Sequence, residues 1–347
     1  MTSTGEGQEE ATAGTQTRRR RVLVSGERVR VVDMHAHCFI PEAAALMGVR
    51  NGMQDGFPAL LLANSQTRIM AMDQQGIDVE ALSINPFWYK ADRELAAEIV
   101  RLQNEKLAEF CAASPERFVG LASVALQHPD LAADQLEEGV RRLNLRGALI
   151  GGSVEGEELA DPRFHPFWAK AEELGVVIFI HPQGPAGLES RLTGNGMLEN
   201  VIGNPLETTI ALSHLIFEGT LDRFPGLKIL AAHGGGYLPS YAARSDAVGW
   251  TFPARFTPLE KKPTDYLKQL YFDSLVFTNE GLRHLAAETG ASQIVLGTDY
   301  PFPWTSAAVD HILATPDLSD ADRVAILGGT AARLLHLGAA LPDPGQP

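Results

Sequence analysis

The chain has 347 residues, 45% of them apolar and 21% charged, and a formal net charge of −14. That balance excludes a disordered or fibrous chain, and the negative charge argues against nucleic acid or an anionic membrane as partner. Cys38 and Cys111 alone make neither a disulfide framework nor a four-cysteine zinc site, and no apolar run approaches the ~20 residues of a membrane span.

Residues 1–27, polar and carrying Arg18–Arg21, read as a disordered tail. The stretch that follows the arginines is interrupted by Glu27, Arg28 and Arg30, so it lacks the apolar core of an export signal, and a cytoplasmic protein is expected. From residue 28 to about 340 the chain repeats one pattern. Short β-branched runs alternate with helical stretches. The runs are VRVVDMH (29–35), VEALSIN (79–85), FVGLASVAL (118–126), RGALIGG (146–152), VVIFIHP (176–182), KILAAHG (228–234), LYFDSLV (270–276) and QIVLGTDYP (293–301). Helices are expected over Leu95–Cys111, Leu131–Leu143, Pro166–Leu174, Glu207–Phe217, Gly281–Gly290 and Ser319–Leu337, with Asp130 and the Ser319/Asp322 pair as start signals. Runs such as VVIFI do not alternate, which suits strands buried on both faces of a parallel sheet.

Eight such units predict a single α/β domain, a distorted (β/α)8 barrel. The rival doubly wound sheet lacks its glycine fingerprint, since the first strand runs into His-Ala-His. Residues 39–66 are too long for one connecting helix and read as a small insertion or lid over the barrel mouth.

Polar residues at the carboxyl ends of barrel strands form the active site of this architecture. Here those ends carry His35 and His37 (strand 1), His181 (strand 5), His233 (strand 6) and Asp299 (strand 8). Alternate residues on a strand face one way, so the two imidazoles of His35-x-His37 point together and suit one divalent metal. Asp299 supplies a carboxylate that binds metal or exchanges a proton, and His233, before three glycines, reads as a general base or a further ligand. Asp33 is placed to orient a ligand histidine. His128, His165, His214, His284, His311 and His336 read as structural or surface residues.

The motifs VDMHAH, IHPQG, AHGGGYLPSYAAR and VLGTDYPFP, in this order, resemble the amidohydrolase-related metal-dependent decarboxylases, most of all their aminocarboxymuconate semialdehyde branch. The resemblance covers about Val31 to Leu337. It implies one divalent metal held by His35, His37, His181 and Asp299, no organic cofactor, and His233 as the acid/base residue. It also implies that Arg244 reaches the substrate carboxylate from a neighbouring subunit, and hence a homodimer. A planar guanidinium suits that task. The branch's second carboxylate-binding arginine is missing. Its place falls near Gly56, Arg50 is the nearest arginine, and the insertion there reads NGMQDGFPALLLA. A more aromatic, less charged acid is therefore expected, with Phe87, Trp88, Phe302 and Trp304 as flat walls. His-x-His in place of the Glu-x-His of the resorcylate branch favours zinc, with manganese second.

The activity so implied is non-oxidative decarboxylation of an aromatic or muconate-type carboxylic acid. The same metal site also suits a hydrolase or hydratase, such as a lactonase or carbon–carbon hydrolase. A barrel that only binds a ligand would need a broken metal position, and none of these positions is broken.

Overall fold

The computed structural model describes residues 19–48 and 65–338. Eight parallel strands form the barrel: β1 (Val32–His37), β2 (Val79–Ser83), β3 (Phe118–Gly120), β4 (Gly147–Gly151), β5 (Val177–His181), β6 (Lys228–Ala231), β7 (Tyr271–Asp273) and β8 (Ile294–Val295). β4 to β8 pair as one five-stranded sheet and β1 to β3 as a three-stranded sheet. Single bridges join the two, Ala122 to Ala148 on one side and Asp33 to Leu296 and Ala36 to Tyr300 on the other. The ring therefore closes, with irregularities at its two seams and in the β1–β2 ladder.

Each expected run holds a strand, usually a shorter one. The third is a regular strand only to Gly120, its backbone bonds to both neighbours run on to Ala122, and from Ser123 a side chain takes over. Asn104 accepts from the Ser123 N–H at 2.8 Å and donates to the Ser123 carbonyl at 3.0 Å. The strands' inward positions, among them Val79, Ala81, Val119, Leu121, Leu149, Val177, Phe179 and Leu230, share one apolar cluster with Ala331, Leu334 and Leu335 of the last helix, which plugs the amino-terminal end. A larger cluster packs the outer strand faces against the helices.

The expected helices appear as Arg93–Ala112, Pro129–Arg141, His165–Leu174, Asn204–Phe217 and Asn279–Thr289. Pro129 takes the first helical position ahead of Asp130, whose carboxylate instead meets Arg93 at 2.6 Å. The expected helix over 319–337 starts with the Ser319/Asp322 capping box and stays helical to Leu334, with a change of hydrogen-bond ladder part-way. Asp320–Val324 and Thr330–Leu334 flank a π-turn at Ala325–Gly329, where the Ile326 carbonyl accepts from the Leu296 N–H at 2.9 Å. That bond pulls the carbonyl off the helix ladder.

One boundary is corrected. The tail expected to run to residue 27 is ordered from residue 19: Leu23–Val24 and Glu27–Arg28 form a hairpin, and Val22 and Val24 are buried. Ser25 and Gly26 both have positive φ, the turn that two-residue hairpins prefer. Arg19 and Arg28 both pair with Asp78. Of the expected insertion over 39–66, residues 49–64, with Arg50 and Gly56, lie outside the described residues. Its flanks are the short helix Pro41–Ala45 and the helix Ser65–Gln75.

Candidate metal centre

The barrel brings His35, His37, His181, His233 and Asp299 to one end of its axis. Ligand-type atoms of His35, His181, His233 and Asp299 all lie within 4.8 Å of one another. His37 joins them, with its Nε2 3.0 Å from both the His35 Nε2 and the Asp299 Oδ1. The His35 Nε2 is 3.2 Å from the same oxygen, and the His233 Nε2 is 3.7 Å from the Asp299 Oδ2.

Local structure explains the convergence. His35 and His37 alternate on β1, where a register shift between Asp33 and Ala36 bends the strand. His181 ends β5. His233 and Asp299 both adopt left-handed backbone conformations, with φ of 54° and 59°. Such residues cost of order 1–3 kcal/mol each and cluster at functional sites. The glycines after His233 serve the turn itself. Gly236 has φ of 65°, and a Cβ there would stand 2.1 Å from the Pro205 carbonyl oxygen.

The donors are in states that suit a cation. Both ring nitrogens of His181 and the His233 Nδ1 are buried without a hydrogen-bond partner among the described residues. Burial, with His37, His35 and His233 alongside, pushes His181 well below the ordinary imidazole range. Burial would raise Asp299, but His35 and the other imidazoles hold it well below the usual carboxylate range. Burial would likewise lower His35, yet Asp299 and Asp273 push it up to about 10. Two buried carboxylates thus demand a positive charge between them. A divalent cation meets that demand, and neutral imidazoles with an ionised carboxylate are its ordinary ligands. The residues present fit a metal.

Supporting residues surround the cluster. Asp273, at the end of β7, has no counterpart among the expected site residues. Its Oδ2 bonds the His35 Nδ1 at 2.7 Å and accepts from the His233 N–H, while its Oδ1 accepts from the Gly234 and Leu275 N–H groups. One carboxylate therefore fixes the His35 ring and the turn that carries His233. Asp33 does not touch an imidazole. It accepts from the His35 N–H at 3.0 Å and from Thr298, and so pins β1 to the segment before Asp299. Glu207, also unexpected here, accepts from the Gln183 and Gly184 N–H groups, both at 2.6 Å, just beyond His181.

Of the expected aromatic walls, Phe302 and Trp304 reach the site. Their rings stack at 6.1 Å and 14°, Phe302 sits 5.9 Å from the His37 ring, and the Trp304 Nε1 donates to the Asp299 Oδ2 at 2.7 Å. Trp88 is a correction: it is wholly buried in the outer core, with its Nε1 donating to the Val124 carbonyl. Phe87 packs beside Trp88 and Phe39 rather than against the histidines. Arg244 lies on the helix Leu238–Thr251, which is absent from the expected helices, and is exposed. The other histidines stay apart from the cluster, as with His214 on Glu218 and His165 on Phe224.

Eight parallel strands with histidines and an aspartate converging at their carboxyl ends define a metal-dependent barrel enzyme. More narrowly, the chain belongs to the amidohydrolase family, whose model matches residues 32–337. It is 31% identical over 281 residues to the 2-amino-3-carboxymuconate-6-semialdehyde decarboxylase of Dictyostelium discoideum, covering 78% of this chain and 76% of that protein. It is 34% identical over 294 residues to the gamma-resorcylate decarboxylase of Rhizobium sp. (strain MTP-10005), covering 81% and 89%. Its fold is similar to a dihydroxybenzoic acid decarboxylase from Polaromonas sp. JS666, solved with bound manganese and the inhibitor 2-nitroresorcinol. That match has a TM-score of 0.77 at 29% identity and covers 90% of this chain and 98% of the other. The chain is thus a carboxy-lyase of the amidohydrolase family.

Proposed function

We propose that this enzyme removes CO2, without oxidation, from an aromatic or muconate-type carboxylic acid. The observation that carries this reading is the set of buried imidazole nitrogens without hydrogen-bond partners that converge with the Asp299 carboxylate beside the stacked Phe302 and Trp304 rings. His35, His37, His181 and Asp299 would hold the metal, which when bound supplies Lewis-acid charge next to the substrate's carboxylate and its neighbouring hydroxyl. A histidine-rich donor set favours zinc, and the manganese of the Polaromonas relative marks the competing ion.

Loss of CO2 breaks a carbon–carbon bond and leaves its electron pair on the conjugated system, so that carbon must gain a proton. His233 is the best-placed donor. Its side chain keeps 17% exposure, against 0%, 1% and 7% for His35, His37 and Asp299, and its Nδ1 has no partner among the described residues. Asp299 is the second candidate; its contacts to three imidazoles and Trp304 make it the more constrained. Phe302 and Trp304 offer a flat apolar wall that suits a ring.

Arg244, exposed and without an ion pair among the described residues, would bind the substrate carboxylate of a second copy. Tyr241, Val248, Trp250 and Phe252, at the surface around the same helix, give a homodimer an apolar contact. A cytoplasmic site of action fits two free thiols, and no helix among the described residues is long and apolar enough to cross a membrane.

The test pairs metal analysis with product balance. Protein purified without chelators should carry about one zinc or manganese per chain and release CO2 from hydroxybenzoates or muconates without O2 or an organic cofactor. Bound metal with a product that has gained water instead would move the assignment to a hydrolase or hydratase.

A further inference from the structure

Arg68 stands on the helix Ser65–Gln75, takes no part in the chemistry above, and is 1% exposed. Its guanidinium reaches three separate pieces of the barrel. Nη1 donates to the Glu80 Oε2 on β2 at 2.9 Å. Nη2 donates to the His37 carbonyl on β1 at 2.6 Å. The guanidinium carbon lies 4.7 Å from the centre of the Tyr300 ring, one residue past Asp299. Glu80 is itself buried and has no other ion-pair partner among the described residues.

Two of these contacts, to His37 and Tyr300, flank the seam between β8 and β1. β8 meets β1 only through single bridges, and His37 and Tyr300 form part of that join through a 2.7 Å bond from the His37 N–H to the Tyr300 carbonyl. Burying a charged pair gains little stability over an apolar pair of the same shape. Its use here is geometric. A planar fork bonds two acceptors in different directions and stacks on a ring at once, which an ammonium does not do.

We propose that Arg68 is a positioning residue that sets the spacing between His37 and Asp299, and so tunes how tightly the centre holds its metal. The inference rests on the reading of those two residues as ligands. It also ties the helix that leaves the insertion to the metal centre.

The test uses the full chain, Zn2+ alone as probe, and chelator competition for affinity. Arg68→Met alone strands the Glu80 charge and endangers folding, so the informative variant is Arg68→Met with Glu80→Leu. It should melt near the wild-type temperature and bind Zn2+ roughly 10–100-fold more weakly, with Arg68→Lys between the two. As a control, Ile178→Ala removes buried apolar packing in the continuous sheet, where Ile178 pairs with Ala148 and Ile229. It should lower the melting temperature and leave Zn2+ affinity unchanged. A folded double variant with wild-type affinity would overturn the proposal, as would an equal loss of affinity in Ile178→Ala. The readout is metal uptake and not CO2, so failure of the decarboxylase assignment would show separately.

Discussion

The two ways in which this barrel is held together can be compared directly. From β4 to β8 the strands pair in continuous register, and apolar residues fill both faces. Between β8 and β1 the ladder gives way to bridges, and buried polar side chains do the joining. Asp33 grips Thr298, and Arg68 bonds the His37 carbonyl on β1 while stacking on Tyr300 just past β8. Three of the five clustered residues, His35, His37 and Asp299, sit on that seam. His181 and His233 crown the continuous sheet. Both kinds of strand end carry a left-handed turn, at His233 after the continuous sheet and at Asp299 beside the seam. At the seam that turn brings a carboxylate against two imidazoles of the neighbouring strand, and buried polar contacts add rigidity there.

The sharpest way to break this comparison is to separate chemistry from support. His233→Ala should lower the rate of CO2 release by about 10²–10⁴-fold, the usual worth of a general acid or base, while metal content stays at the wild-type level. Loss of metal along with activity would make His233 a ligand instead. On the continuous sheet the expected outcome is reversed. Ile178 is fully buried and faces Ala148 and Ile229 in register. Ile178→Ala should cost about 2–5 kcal/mol in denaturant unfolding and leave the activity of the folded fraction unchanged. Asp273→Asn lies between the two. It keeps shape but removes the charge that faces His35, so metal affinity should fall about 10–100-fold. Wild-type affinity in that variant would mean that the barrel backbone alone positions His35.

What was legible in the sequence follows the same division. Apolar runs reveal a continuous sheet because its burial is written in consecutive residues. His35-x-His37, His181, His233 and Asp299 were legible because each ends such a run. Asp273 and Arg68 were not, since a single acid in YFDSL or a single base in SQTRIM carries no pattern until distant strands meet. The hairpin at Leu23–Arg28 was hidden by its charged neighbours, although its Ser-Gly turn was readable. The helix Leu238–Thr251 was hidden by the glycines and the proline at its start. Trp88 was misplaced because an aromatic after a strand end looks the same whether it faces the mouth or the outer core.

Glu207 tests the continuous side by pH. Burial pushes its carboxyl up from 4.5 to about 7, although two backbone N–H groups favour the charged form. A carboxyl whose folded pKa is raised binds its proton more tightly in the folded state than in the unfolded one. Its contribution is therefore fully present below pH 4.5 and is lost as the pH climbs towards 7. Each pH unit crossed inside that window removes at most about 1.4 kcal/mol. Glu207→Gln cannot ionise, so its stability relative to wild type should rise across that window, while any fixed cost of the amide shifts both ends equally. Denaturant melts of both proteins at intervals from about pH 4.5 to 7.5 read the difference directly. Parallel curves would mean that Glu207 is solvated enough to titrate normally, and that the turn after His181 is held by its backbone and not by a buried acid.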